Sequence, residues 1–320
     1  MNVATIGTGF IVDWFLTAVQ ESANISCVAM FSRKESSAHK LADKYEIDKI
    51  YTNLDDMLKD EEINFVYVAS PNSLHFEHAL KALQAGKNVI CEKPFTSTVE
   101  EFDRLVKEAQ DRHLYLFEAI VTAHMPNYLR MKEELPRLGT IRMVQCNFSQ
   151  YSSRYDKFLQ GETPNVFNPE FSGGALADIN IYNLHYVIGL FGKPKTVHYY
   201  ANKHANGIDT SGVVLMQYDG FQAVCVGCKD TRSECIAQIQ GEKGFITMRS
   251  ETSRCAAYTI QIGRERAEHP SIVQNDVALY YELQDFRDIY KLDDLAGKNV
   301  AVQSSTQPER IFLGQGYDII

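Results

Sequence analysis

The chain opens on Asn2-Val3-Ala4-Thr5-Ile6-Gly7-Thr8-Gly9-Phe10-Ile11-Val12, an apolar strand-like run followed at once by two glycines one residue apart. A helical pattern begins directly after them. In a strand-to-helix turn the first glycine permits the tight bend. The second lets the backbone approach a pyrophosphate at the helix N-terminus. Gly7, Thr8, Gly9, Phe10 and Ile11 are therefore candidate cofactor contacts. Val12 stands where the usual fingerprint has its third glycine. A Gly-x-Gly pair also serves an ordinary strand-to-helix turn, so its meaning depends on the rest of the chain.

Outward from this turn, strand-like runs at Asn2–Gly7, Ser26–Ser32, Asn64–Ser70, Asn88–Glu92 and Tyr115–Val121 alternate with helical patterns around Trp14–Glu21, Ser36–Tyr45, Leu74–Ala85 and Val99–Arg112. That alternation predicts a parallel, doubly wound Rossmann sheet covered on both faces. Beyond about residue 125 come longer strands, roughly 141–150, 195–202, 212–218, 221–229, 235–240 and 244–248. They suit a largely antiparallel open sheet. Helices are expected at Gly174–Phe191 and Asp276–Tyr290. The expectation is an α/β domain over 1–122 and an α+β domain over 123–320, closely apposed, with a cleft between them.

The second strand ends at Phe31-Ser32-Arg33-Lys34, where an NAD enzyme would carry an acid for the adenosine ribose. A hydroxyl and two cations can instead hold a 2′-phosphate by charge-assisted hydrogen bonds, which favours NADP(H) over NAD(H). The alternative for Ser32, Arg33 and Lys34 is a solvated loop.

The 320 residues are 45% hydrophobic and 23% charged, an ordinary globular balance, with no apolar run long enough for a membrane span. A net charge of −9 argues against a nucleic-acid partner and points to a small ligand. The first residues lack the basic and apolar segments of a leader, so a cytoplasmic protein is expected. Seven scattered cysteines do not form the dense framework of a small secreted fold. Cys225 and Cys228 have the spacing of a metal or redox pair. On a strand, however, residues three apart point to opposite faces, and no metal is expected.

Three further segments carry a specific likeness: Ser70-Pro71-Asn72-Ser73-Leu74-His75, Cys91-Glu92-Lys93-Pro94, and Gly173-Gly174-Ala175-Leu176-Ala177-Asp178-Ile179-Asn180-Ile181-Tyr182. In this order and spacing the chain resembles the Gfo/Idh/MocA oxidoreductases over nearly its whole length. The resemblance implies that Ser70, Pro71, Asn72, His75 and Glu92 border the nucleotide and that Lys93 reaches the carbon exchanging hydride. There its ammonium would stabilise an alkoxide and relay a proton. A surface lysine before a turn proline is the plainer reading.

On the long helix, Asp178, Tyr182 and His185 stand at i, i+4 and i+7 and are expected on one face. Many relatives place a histidine where Tyr182 stands. A tyrosine resembles the glucose-fructose oxidoreductase and dimeric dihydrodiol dehydrogenase types, and a phenol of pKa about 10 can donate a proton to a carbonyl. Asp178 would orient a substrate hydroxyl or pair with Lys93. His185 is either an assistant or a structural histidine. Arg154 and Tyr155 follow a strand of the second domain as candidate substrate contacts, with a structural salt bridge the alternative for Arg154. Where some relatives carry an arginine after Phe117-Glu118-Ala119, this chain has Ala123.

The expected activity is reversible hydride transfer between NADP(H) and a sugar, polyol or related carbonyl compound, in a homodimer or homotetramer. A nucleotide-retaining glycosidase and a non-catalytic nucleotide sensor are the alternatives. A sensor would have no use for Lys93, Asp178 and Tyr182 together.

Overall fold

A computed structural model describes residues 1–277 and 279–296, which divide into two compact units. The first comprises Met1–Ala119 and the described chain from Asn275 onward. The second comprises Ile120–Gln274.

In the first unit the chain runs through β1 (Asn2–Ile6), α1 (Phe10–Gln20), β2 (Ser26–Phe31), α2 (Glu35–Tyr45), β3 (Lys49–Tyr51), α3 (Leu54–Leu58), β4 (Phe65–Val68), α4 (His75–Gln84), β5 (Asn88–Glu92), α5 (Val99–Arg112) and β6 (Leu116–Ala119). Its six strands pair in the order β3-β2-β1-β4-β5-β6, all parallel. The order reverses between β1 and β4, and ligands of such sheets bind outside the carboxyl ends at that point. Central strands buried on both faces explain the unbroken apolar run Phe65–Val68. Two elements were invisible in the pattern. β3 has three residues and α3 five, too few for either period to register.

The second unit holds α6 (Pro126–Glu134), β7 (Ile141–Ser149), α7 (Tyr155–Leu159), α8 (Ile181–Phe191), β8 (Thr196–Lys203), β9 (Asp209–Gln217), β10 (Gln222–Cys228), β11 (Ile236–Gly241), β12 (Gly244–Met248) and β13 (Tyr258–Ile262). Its seven strands run in the order β13-β12-β11-β7-β10-β9-β8. All pairs are antiparallel except β10 with β7. The helix expected from Gly174 begins differently. Leu176–Asn180 form a π-helical turn, and regular α8 starts only at Ile181.

The last helix, α9 (Tyr280–Ala296), starts four residues later than the sequence pattern implied and belongs to the first unit rather than to the 123–320 stretch. Its apolar face explains why. Leu279, just before it, and Leu283 and Phe286 are buried, each contributing about 1.5–3 kcal/mol. Phe286 stacks on Phe117 of β6 at 4.5 Å, and Tyr290 meets Phe65 and Tyr115 edge-on. Gln284 donates to Ser22 at 2.6 Å and Asn275 to Glu21 at 2.9 Å, tying this return to the end of α1. Residues 297–320 of the expected second domain lie outside the described residues.

Candidate active site

In the first unit the candidate cofactor residues gather at the carboxyl ends of β1, β2, β4 and β5. Gly7 has φ of +122°, and a Cβ there would stand 2.5 Å from the Ala69 carbonyl oxygen, so the turn admits only glycine. Gly9 is different. It caps α1 in an extended conformation, and a Cβ built on it would meet no protein atom within 4 Å. The protein's own packing does not require a glycine there, whereas a phosphate approaching the helix N-terminus would. Val12, where the usual fingerprint has its third glycine, is fully buried beside the Gly7 turn. Phe10 is exposed and sits edge-on to exposed Trp14, while Ile11 is half-buried.

After β2, Ser32 donates its backbone N–H to the Tyr51 carbonyl at 3.0 Å. Its hydroxyl accepts from the N–H of Lys34, the N-cap of α2. Arg33 and Lys34 are exposed beside that helix N-terminus, and the Arg33 charge is one of the influences that lower the pKa of His78, burial being the largest. His78 lies 2.9 Å from the Ser70 hydroxyl and was not singled out from the sequence. A cationic and polar rim therefore joins the ends of β2 and β4, and these residues fit an adenosine phosphate. Ser70, Pro71 and Asn72 are half-buried along the β4 side of this rim.

His75 and Glu92 turn inward instead. Both ring nitrogens of buried His75 face backbone carbonyls, those of Pro94 at 2.8 Å and Ser70 at 2.9 Å. Burial holds its pKa down to about 4, so the ring is neutral and donates to one of them. Glu92 accepts from the buried Tyr67 hydroxyl at 2.5 Å, and burial raises its pKa. Both side chains brace the backbone on either side of half-buried Lys93.

In the second unit Asp178 lies within the π-helical turn and Tyr182 in the first turn of α8, and both side chains are half-buried. His185 is only 4% exposed and does not share their accessible face. The carboxylate of Asp178 pairs with Lys229, a buried residue directly after β10 that sequence reasoning missed. The start of the helix is fixed from β9. Asp209 accepts from the Leu176 N–H at 2.7 Å and from the Tyr199 hydroxyl at 2.6 Å. Gly174, at φ of +110°, leaves Asp209 its space. Deeper in, Asn180 and Asn183 donate to the carbonyls of Cys225 and Val226 at 3.1 and 3.0 Å. Gly227 makes this approach possible, since a Cβ there would lie 2.5 Å from that of Asn180.

Arg154 is exposed at the N-cap of α7. Tyr155 is half-buried, its ring against Phe158 and Phe167, and its pKa is raised by burial and by nearby Asp230. Phe167 stacks on Phe158 at 4.7 Å, and the ammonium of Lys229 lies 5.8 Å above its ring. Tyr155 thus borders the same cluster as Asp178, through Phe167 and Lys229, while Arg154 stands at its outer edge. On β10, Cys225 is buried and Cys228 half-buried. No group of three metal-binding side chains occurs among the described residues.

Comparison with known proteins adds sequence relationships to this geometry. Residues 1–119 match the model of the GFO/IDH/MocA oxidoreductase family, NAD-binding Rossmann fold, and residues 129–247 that of the GFO/IDH/MocA C-terminal domain. The uncharacterized oxidoreductase YgjR of Escherichia coli K12 is 40% identical over 80% of this chain and 77% of its own length. The scyllo-inositol 2-dehydrogenase (NADP(+)) IolU of Bacillus subtilis is 34% identical over 97% of this chain and 94% of its own. Among solved structures, KijD10, a 3-ketoreductase from Actinomadura kijaniata in complex with NADP and TDP-benzene, superposes with a TM-score of 0.83. It is 22% identical, covers 97% of this chain and 94% of its own, and shares the fold.

Proposed function

From the premise that this chain belongs to the Gfo/Idh/MocA oxidoreductase family, we propose that it is an NADP(H)-dependent dehydrogenase of cyclic polyols or related sugars. The observation that carries the reading is the accessible pair Asp178 and Tyr182, a carboxylate and a phenol held at a helix start braced from two strands. A simple nucleotide-binding module would need neither. The near full-length likeness to an NADP-dependent scyllo-inositol dehydrogenase supports a hydroxyl-bearing ring as substrate.

Bound nicotinamide would supply the hydride chemistry. Gly9 and the N-terminus of α1 would take its pyrophosphate, and Ser32, Arg33 and Lys34 its 2′-phosphate. For the substrate, Asp178 accepts a hydrogen bond from a hydroxyl and fixes the ring. Tyr182 takes the proton of the reacting hydroxyl during oxidation and returns it during reduction. Lys93 stabilises the oxygen as it gains negative charge. Self-association belongs to the same reading. It is supported by Val213, Leu215, Val224 and Val226, paired across β9 and β10 and half-buried on one sheet face.

The test is NADPH formation from NADP(+) with scyllo-inositol, myo-inositol, D-xylose and D-glucose. Oxidation of at least one ring polyol or sugar, faster with NADP(+) than with NAD(+), is expected. Hydride transfer from none of them would overturn the reading.

A further inference from the structure

Lys229 and Asp178 lie 51 positions apart in sequence and meet at one point, with unequal exposure. The Asp178 side chain is 32% exposed, whereas that of Lys229 is 7% exposed. The carboxylate stands in front and the ammonium behind it. The lysine backbone is clipped on both sides. Its N–H donates to the Thr210 carbonyl at 2.8 Å, and its carbonyl accepts from the Ser152 N–H at 2.9 Å. Its ammonium lies over the ring of buried Phe167. Lys229 is the less accessible of the two, and its ammonium reaches one of the two accessible side chains proposed to meet the substrate.

The pair is not needed to dock the helix. Asn180 and Asn183 already bond the helix start to β10, Thr252 donates to Asn183 at 2.9 Å, and Asp209 caps the π-helical turn from β9. Nor is an ion pair with one buried partner an efficient source of stability. Taking the lysine charge out of water costs free energy that the pairing must first offset. What a cation does at this position is hold one oxygen of Asp178 and so limit the directions its carboxylate can face. Resting on the proposed function, we propose that Lys229 is a positioning residue for the reaction, acting through Asp178 to fix the substrate hydroxyl in line for hydride transfer.

The proposal is tested by a double-mutant cycle on kcat and KM, with NADP(+) and whichever polyol of the panel above is oxidised. Lys229→Met keeps an unbranched side chain of similar length and removes the charge. It should lower kcat on the order of 10–100-fold, the range seen when an outer residue that orients a reactive ligand is lost. The KM for NADP(+) should not change. Lys229→Arg should recover much of the loss, which a role in filling space would not require. In an Asp178→Asn background, Lys229→Met should cost less than about twofold more, because residues acting as a unit are not additive.

Wild-type rates in Lys229→Met, or a full second loss in the double variant, would overturn the proposal while leaving the proposed function standing. Near wild-type activity in Asp178→Asn would overturn the proposal while leaving hydride transfer to NADP(+) standing, whereas a panel with no substrate would overturn both. If Lys229→Met fails to fold by circular dichroism, Lys229→Arg and Lys229→Gln complete the same cycle with the same criteria.

Discussion

The candidate residues of the two units are held in different ways. Around Gly7–Ile11 and Ser32–Lys34 the first unit offers backbone: a glycine turn, two helix N-termini and the ends of parallel strands, with Arg33 and Lys34 as additions at the rim. Around Asp178 the second unit offers side chains drawn from β9, β10 and a helix start, each held by another side chain. A site of backbone donors spreads its work over many groups, so deleting one side chain weakens it. A site of three or four side chains fails when one is removed.

The largest effects should therefore come from the single side chains placed in the proposed chemistry, Tyr182 of the second unit and Lys93 of the first. Tyr182→Phe should lower kcat by about 10²–10⁴-fold, the range for a general acid, with NADPH affinity unchanged in a fluorescence titration. Lys93→Met, its partner in the proposed chemistry, should lose at least as much. If the phenylalanine variant kept normal single-turnover rates, the side-chain half would lose its central member.

A smaller effect is expected at the rim of the cofactor site. Arg33→Ala should weaken NADPH binding about 10–100-fold, the worth of one or two charge-assisted hydrogen bonds, and leave NADH binding as it was. Equal affinity of the wild type for the two nucleotides would remove the basis for NADP preference. A loss at Arg33 exceeding that at Tyr182 would reverse the contrast between the halves.

The smallest effect tests a buried carboxyl group of the last helix. Glu282 of α9 is 2% exposed, no hydrogen bond reaches its Oε2 among the described residues, and burial, with Glu92, Asp285 and Glu118 nearby, raises its pKa well above the carboxylate range. A raised folded-state pKa means that the folded protein holds the proton longer than the unfolded chain. Stability therefore falls as pH climbs from the ordinary glutamate value of about 4.3 toward the raised one. Glu282→Gln carries no charge at any pH. Its Tm should exceed that of the wild type by about 2–4 °C at pH about 8, and by less at pH about 5. An advantage that did not grow with pH would show that Glu282 is ionised without cost.

This contrast also explains what could be read from the sequence. The cofactor turn is local: strand, glycines and the first turn of the helix lie within residues 2–13, and the parallel sheet follows from the alternation around it. The family likeness located Lys93, Asp178 and Tyr182 because they sit in contiguous motifs. Lys229 has no such neighbourhood. It follows an ordinary strand, and only the pairing of β10 with β9 and β7 brings it to Asp178. His185 had the right helical spacing, but burial is decided by what packs on the helix. Likewise nothing in Leu176–Asn180 announces a π-helical turn. Glu92 and His75 lie in the motifs yet serve the core, a distinction that depends on Tyr67 and on the Pro94 carbonyl.

The return of the chain at Asn275 also sets an order of events during synthesis. The sheet of the first unit has all six strands once Ala119 is made, but the aromatic faces of Phe65, Tyr115 and Phe117 wait for Phe286 and Tyr290. At about 5–20 residues per second, the ribosome needs roughly 10–30 s to supply them. Throughout that interval the nascent unit presents an uncovered aromatic surface. This is the stage at which a chaperone has most to protect, and at which a truncation before α9 would leave the chain permanently.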